Sequence, residues 1–146
     1  AIGNCVRILN MLYRHNLPAP PLYDVSRIGK HEVYQLMLYD PEIYASRILP
    51  LKHIKYTHTV SYCYDVIHEN GGKQIGIPAM AAHYGIRNDE ILVFGDGPND
   101  VDMLRDVGFG VAMGNGCAKA KAAANYVTTD VDDDGIYRAL KELGVI

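Results

Sequence analysis

Ile91-Leu92-Val93-Phe94-Gly95-Asp96-Gly97-Pro98-Asn99-Asp100-Val101-Asp102-Met103 decides how the rest of the chain is read. The four leading apolar residues, with β-formers among them, suit a strand buried on both faces, as in a parallel sheet. The Gly-Asp-Gly-Pro-Asn-Asp run that follows is a turn by composition, so Asp96 leaves the carboxyl end of a strand. Asn99 or Asp100 is placed to cap a helix that starts near Val101. The loop thereby gathers side-chain oxygens in the crevice where open α/β sheets bind ligands. Asp96 and Asp100, two carboxylates four residues apart, make a hard, oxygen-rich pocket suited to Mg²⁺. The plainer alternative is a strand-to-helix turn in which Asp and Gly serve only as turn and cap residues.

Outward from this stretch, the pattern predicts a helix from Ile77 to Tyr84 before it. After it come a helix (Val101 to Val107), a strand (Gly110 to Met113), a helix (Ala118 to Ala124), a short strand (Tyr126 to Thr128) and a last helix (Ile136 to Leu143). Helices alternating with short apolar strands mean βαβ units and a parallel sheet. Composition shifts at Asn70-Gly71-Gly72: tyrosine and histidine are dense before it, alanine and glycine after it. Two domains are expected, residues 1–70 and 71–146. In the first, Lys55 to His68 alternates polar with apolar or aromatic residues, as one or two strands of an antiparallel sheet with one wet face do. His31 to Tyr39 reads as a further strand and Cys5 to His15 as a helix. Another helix runs to Pro50, with Asp40 as cap and Pro41 at its first position.

With 146 residues, the chain holds one domain with a real core, or one small domain plus part of another. Apolar content of 49% with 21% charged residues is that of a folded globular protein. A net charge of -3 offers no electrostatic case for nucleic acid or an anionic membrane as partner. Cys5, Cys63 and Cys117 are odd in number and lack Cys-x-x-Cys spacing, which argues against a disulfide framework or zinc knuckle and fits a reducing cytoplasm. No apolar run approaches a membrane span. Ala1 followed by sequence with mid-helix character is how a processed product or fragment begins.

Further residues accompany the loop in a specific order. Lys73 comes first, then Tyr84-Gly85-Ile86 and Asp89-Glu90-Ile91; after the loop come Asp102-Met103-Leu104, Gly110-Val111-Ala112-Met113-Gly114-Asn115 and Ala124-Asn125-Tyr126-Val127-Thr128. Together they resemble the carboxyl half of a haloacid-dehalogenase (HAD) superfamily phosphatase of the Cof-like group, which carries a large α/β cap. The resemblance is specific from about Lys73 onward and diffuse before it. It implies an α/β fold: the carboxyl half of a Rossmann-like parallel-sheet core in 71–146 and part of the cap in 1–70. It also implies a Mg²⁺-dependent phosphohydrolase with an aspartyl-phosphate intermediate, acting on a small phosphorylated metabolite such as a sugar phosphate. The amino-terminal Asp-x-Asp-Gly-Thr motif of that family does not occur in these residues. In the implied fold, the strand at Ile91 to Phe94 lies beside the strand bearing that motif. Its ladder is then open on one side, an aggregation hazard that the amino-terminal segment or another copy of the chain would cover.

Phosphoryl transfer is mostly positioning plus charge neutralisation, which needs a metal, a cation for the phosphate oxygens, a nucleophile and an acid/base. The resemblance makes Asp96 a direct Mg²⁺ ligand and Asp100 either a ligand or the carboxylate behind one. Asn99 either holds phosphate or metal-bound water, or caps the helix. Lys73 follows two glycines and begins a helix, so its ammonium is a candidate point charge for the phosphate; the alternative is a solvated surface lysine. The family often has glycine after this lysine, where Gln74 stands here. Lys73, Asp96 and Asp100 are thus the catalytic candidates, Lys73 and Asn99 the substrate contacts, and Asp96 and Asp100 the metal ligands.

Other motifs read as structural. Asp130-Val131-Asp132 offers an Asp-x-Asp, but Asp133 and Asp134 replace the Gly-Thr that should follow. An EF-hand started at Asp130 would place Lys141 where Glu is required, so a capped helix start explains the run better. Gly108, Gly110, Gly114 and Gly116 have the wrong spacing for a dinucleotide loop and read as close-packing and turn positions. His58, Tyr62 and Tyr64 are placed to share a strand face toward a substrate, with packing as the alternative. Two further readings remain open: a non-catalytic short form serving as an interaction module, and a phosphomutase of the same superfamily.

Overall fold

Two separate sheets organise the computed structural model, which describes residues 32–39, 50–60 and 63–146, with single positions 13, 16, 26, 29, 30 and 46–48. The first sheet is antiparallel: β1 (Gln35–Tyr39), β2 (Ile54–Val60) and β3 (Cys63–His68), in the order β1-β3-β2. The alternation between Lys55 and His68 thus resolves into a hairpin of two strands, with an irregularity between His58 and Val60. Cys63 and Val66 on β3 are buried. The strand expected from His31 starts only at Gln35, whose partner on β3 is Ile67. Tyr13 and residues 46–48 are helical; the rest of the two expected helices, with the Asp40 and Pro41 start, lies outside the described residues.

The second sheet is parallel. Its elements are α1 (Lys73–Tyr84), β4 (Leu92–Gly95), α2 (Val101–Asp106), β5 (Phe109–Ala112), α3 (Ala118–Ala123), β6 (Tyr126–Val127) and α4 (Gly135–Glu142), with strand order β4-β5-β6. The chain is therefore an α/β protein with the expected alternation. Its helix α1 begins at Lys73, where the Gly-Gly-Lys reading put a helix start, and extends the expected Ile77–Tyr84 stretch by a turn, with Pro78 inside it. The turn into α1 passes through Gly72 at φ 106°, a left-handed conformation that glycine adopts without steric cost.

The core gathers on β5. Leu104, Val111, Ala112, Met113 and Ala120 are buried, with α2 and α3 packed on the strand. Gly110 lets β5 pass directly beneath the Leu104 carbonyl, where any Cβ would collide with backbone. β4 differs from its expected burial on both faces: Leu92, Val93 and Phe94 are only half-buried. Among the described residues β4 pairs with β5 alone, so its other ladder edge is open, and no residue of α1 is buried over it. A groove of about 480 Å³ lies along α1, lined by Ile77, Met80 and Tyr84 on the helix, by Ile86 and Ile91 before β4 and by Met103 on α2.

Candidate active site

The site is built where β4 ends. Gly95 is buried, and a Cβ on it would stand 2.6 Å from the Asp100 Cβ, so the missing side chain lets Asp100 fold back under the strand end. Asp100 is 4% exposed. Its Oδ2 accepts the backbone N–H groups of Asp96 and Gly97, each at 3.0 Å. Its Oδ1 accepts from Lys73 Nζ at 2.5 Å. Burial pushes the Asp100 carboxyl up, but the Lys73 ammonium and the Gly97 and Asp96 N–H groups outweigh it and hold it below the usual carboxylate value. The Lys73 side chain is 52% exposed, so one flank of the ammonium is held by Asp100 while the rest faces solvent.

Neither Asn99 nor Asp100 caps α2, contrary to expectation: the helix start has no side-chain cap hydrogen bond. The Asp100 side chain turns back to the loop amides, where its charge meets two donors and a cation at once. Asn99 lies over Gly97 and makes no hydrogen bond among the described residues. Asp96 is exposed, and its carboxylate likewise makes no hydrogen bond or ion pair among the described residues. Its backbone carbonyl accepts the Cys117 N–H at 2.8 Å. Lys73, Asp96, Asn99 and Asp100 are thus brought together at the end of β4 in distinct states, Asp100 fully engaged and the Asp96 carboxylate free among the described residues. The antiparallel sheet reaches the same place, since β2 passes within 8 Å of the Pro98–Asp100 turn.

No group of three or more His, Cys, Asp and Glu side chains among the described residues forms a metal cage. Mg²⁺ does not need one: it is commonly held by one or two carboxylates, with waters and substrate phosphate completing six oxygens. The free Asp96 carboxylate fits that habit. Asp100, its oxygens already accepting three hydrogen bonds, fits better as the group that holds the loop and Lys73.

Tyr64 packs its ring against Tyr56 with centroids 5.4 Å apart, while the side chain of His58 and all of Tyr62 lie outside the described residues. Asp130 caps the short turn Val131–Asp133 before α4, but α4 itself starts after Asp134 with no side-chain cap hydrogen bond, so the capped helix start expected of the acidic run is displaced to the preceding turn. Cys63 and Cys117 are free thiols. The sequence reads Gly116 only as a close-packing or turn position and gives Cys117 no part in the site, yet both bear on Asp96 from the β5–α3 loop. Asn115 belongs to the matched Gly-Val-Ala-Met-Gly-Asn run, but nothing local to that run points toward Asp96.

Residues 30–140 match the family of haloacid dehalogenase-like hydrolases, and the chain belongs to that family. Among its relatives is YkrA of Bacillus subtilis, assigned as a phosphatase, 38% identical over 129 residues that cover 87% of this chain and 49% of YkrA. A solved phosphatase of the HAD superfamily from Bacteroides thetaiotaomicron superposes with a TM-score of 0.83 at 33% identity, covering 99% of this chain and 55% of that one. A HAD subclass IIB sugar phosphatase superposes with a TM-score of 0.82 at 32% identity, covering 96% of this chain and 55% of that one. The chain thus spans about half the length of each of these proteins. Among the described residues, no helix is long and apolar enough to cross a membrane.

Proposed function

We propose that this chain is the cation- and phosphate-holding part of a Mg²⁺-dependent phosphomonoester hydrolase acting on a small phosphorylated metabolite such as a sugar phosphate. One observation carries the reading: buried Asp100 ties Lys73 to a loop that leaves the Asp96 carboxylate unengaged at the strand end. In this reading Asp96 ligates the cation, Asp100 stands behind it and aims Lys73, and the Lys73 ammonium offsets charge on the phosphoryl oxygens. Asn99, with no hydrogen bond among the described residues, contacts phosphate or cation-bound water. Mg²⁺, when bound, supplies the charge that draws phosphate and nucleophile together. The attacking aspartate, and the one that protonates the leaving oxygen and then activates water, come from an Asp-x-Asp-Gly-Thr segment outside these residues. That segment, or a second copy of the chain, also completes the open edge of β4. Residues 71–146 form the core part and 1–70 part of the cap, and the cysteine usage fits a cytoplasmic setting.

The test is reconstitution. Alone, the chain should leave p-nitrophenyl phosphate intact. Joined to a preceding segment that carries the Asp-x-Asp-Gly-Thr run, it should hydrolyse the ester only with Mg²⁺ present. In that joined protein, Lys73→Met and Asp96→Asn should each cost on the order of 10²-fold or more in kcat, the scale of losing one preorganised charge-stabilising group. Hydrolysis by the chain alone, or a joined protein indifferent to Mg²⁺, would sink the proposal. A folded but inert joined protein would favour the non-catalytic short form.

A further inference from the structure

We infer that the loop after β5, through Gly116 and the Cys117 N–H, is the positioning element for Asp96, so that the aim of its carboxylate is set from the neighbouring strand. This role rests on the cation reading of Asp96 above. Two backbone anchors bracket the residue. On its amino side the Asp96 N–H is taken by Asp100 Oδ2 at 3.0 Å; on its carboxyl side the Asp96 carbonyl accepts the Cys117 N–H at 2.8 Å. Both peptides flanking the Asp96 Cα are fixed while its side chain is left free, as a preorganised ligand requires.

Gly116 makes the second anchor possible. A Cβ there would lie 2.8 Å from the Met113 carbonyl oxygen, 3.2 Å from the Asp96 Cα and 3.3 Å from the Asp96 carbonyl oxygen. All three are backbone atoms, which cannot swing aside as the end of a flexible side chain would. Gly116 is not among the residues with positive φ, so the close approach, and not backbone conformation, is what excludes a larger residue. The loop is braced from behind: the Gly116 N–H donates to Met113 at 2.8 Å and the Gly114 N–H to Thr129 at 2.9 Å. Asn115 Oδ1 accepts the Val131 N–H at 3.2 Å. Contacts therefore run from the turn before α4, through the β5–α3 loop, to the backbone of Asp96, whose carboxylate is free among the described residues.

Two variants separate this role from general folding. Gly116→Ala adds one methyl against the Asp96 backbone. Cys117→Pro removes the N–H donor and sets the ring Cδ against the Asp96 carbonyl, without asking for a new φ, since Cys117 already has φ -67°, the value that proline imposes. Cys117→Ser keeps the N–H and serves as the conservative control. The full chain, labelled with ¹⁵N, is titrated with Mg²⁺ while the Asp96 and Cys117 amide signals are followed, and the metal-free thermal midpoint is recorded for each variant. Mg²⁺ should shift both signals in the parent chain. Gly116→Ala and Cys117→Pro should each weaken the apparent affinity about tenfold, the lower end for losing a group that orients a ligand. Cys117→Ser should bind as the parent does. Parent-like affinity in Gly116→Ala and Cys117→Pro, with binding lost in Asp96→Asn, overturns the positioning role and leaves the cation reading standing. Absence of any Mg²⁺-dependent shift at Asp96 in the parent chain overturns the cation reading, and this role with it.

Discussion

β4 and β5 are neighbours in one parallel sheet and read alike as short apolar strands, yet Val111 on β5 is fully buried while Val93 on β4 is half-buried. β5 has a strand on each side and α2 and α3 packed on it; β4 has β5 on one side and, among the described residues, nothing on the other. Burial is a property of the neighbours as much as of the strand. The same contrast recurs at the crevice, where Asp100 accepts three hydrogen bonds and Asp96, four positions earlier, accepts none on its carboxylate among the described residues.

The sharpest way to break the comparison is to remove the same two methyl groups from both strands. Val111→Ala should cost about 2.5 kcal/mol, as a fully buried side chain leaves a cavity. Next comes the crevice. Asp100→Ala strands two loop N–H groups and an ammonium, and should cost about 2 kcal/mol, discounted because Lys73 is half in solvent. Val93→Ala should cost only about 1 kcal/mol in the chain alone. That cost should rise toward the Val111 value once a complementary strand covers β4. Smallest is metal-free Asp96→Ala, expected within about 0.5 kcal/mol of the parent. Urea unfolding monitored by far-UV circular dichroism ranks all four. Equal losses at Val93 and Val111 would mean that β4 is covered in solution.

Acid sharpens the contrast between the two carboxylates. The folded-state pKa of Asp100 is depressed, so the unfolded chain takes up its proton first as pH falls. Its stabilising contribution is therefore complete above the unfolded value of about 4 and is lost as pH drops through the lower folded value. Asp100→Asn should flatten the decline of stability below about pH 4, and a variant that declines as steeply as the parent would contradict the Lys73–Asp100 pairing.

Much was legible beforehand. Strand and helix order from Lys73 onward follows from periodicity and turn residues, and most boundaries agree within about a residue. Asp96 and Asp100 stood out because a Gly-Asp-Gly-Pro-Asn-Asp turn after an apolar strand is local chemistry, whereas Lys73 stood out through its Gly-Gly-Lys helix start and its place in the family resemblance. Less legible was what each carboxylate does. Helix capping by Asn99 or Asp100 was the local expectation, and a charge-assisted pair with a lysine from another helix overrode it. Gly116 was recognised as a turn position, but its approach to Asp96 joins two loops that do not adjoin in the chain.

The sequence by itself determined the alternation of elements, the acidic turn at the end of β4 and the residues able to carry chemistry there, because each depends on neighbours within a few positions. Only the tertiary structure decided that Asp100 is spent on Lys73 and that Asp96, its carboxylate free among the described residues, is held at its carbonyl by the Cys117 amide. Those outcomes depend on which groups meet across long separations, 27 positions in the case of Lys73 and Asp100, where desolvation and pairing set the result.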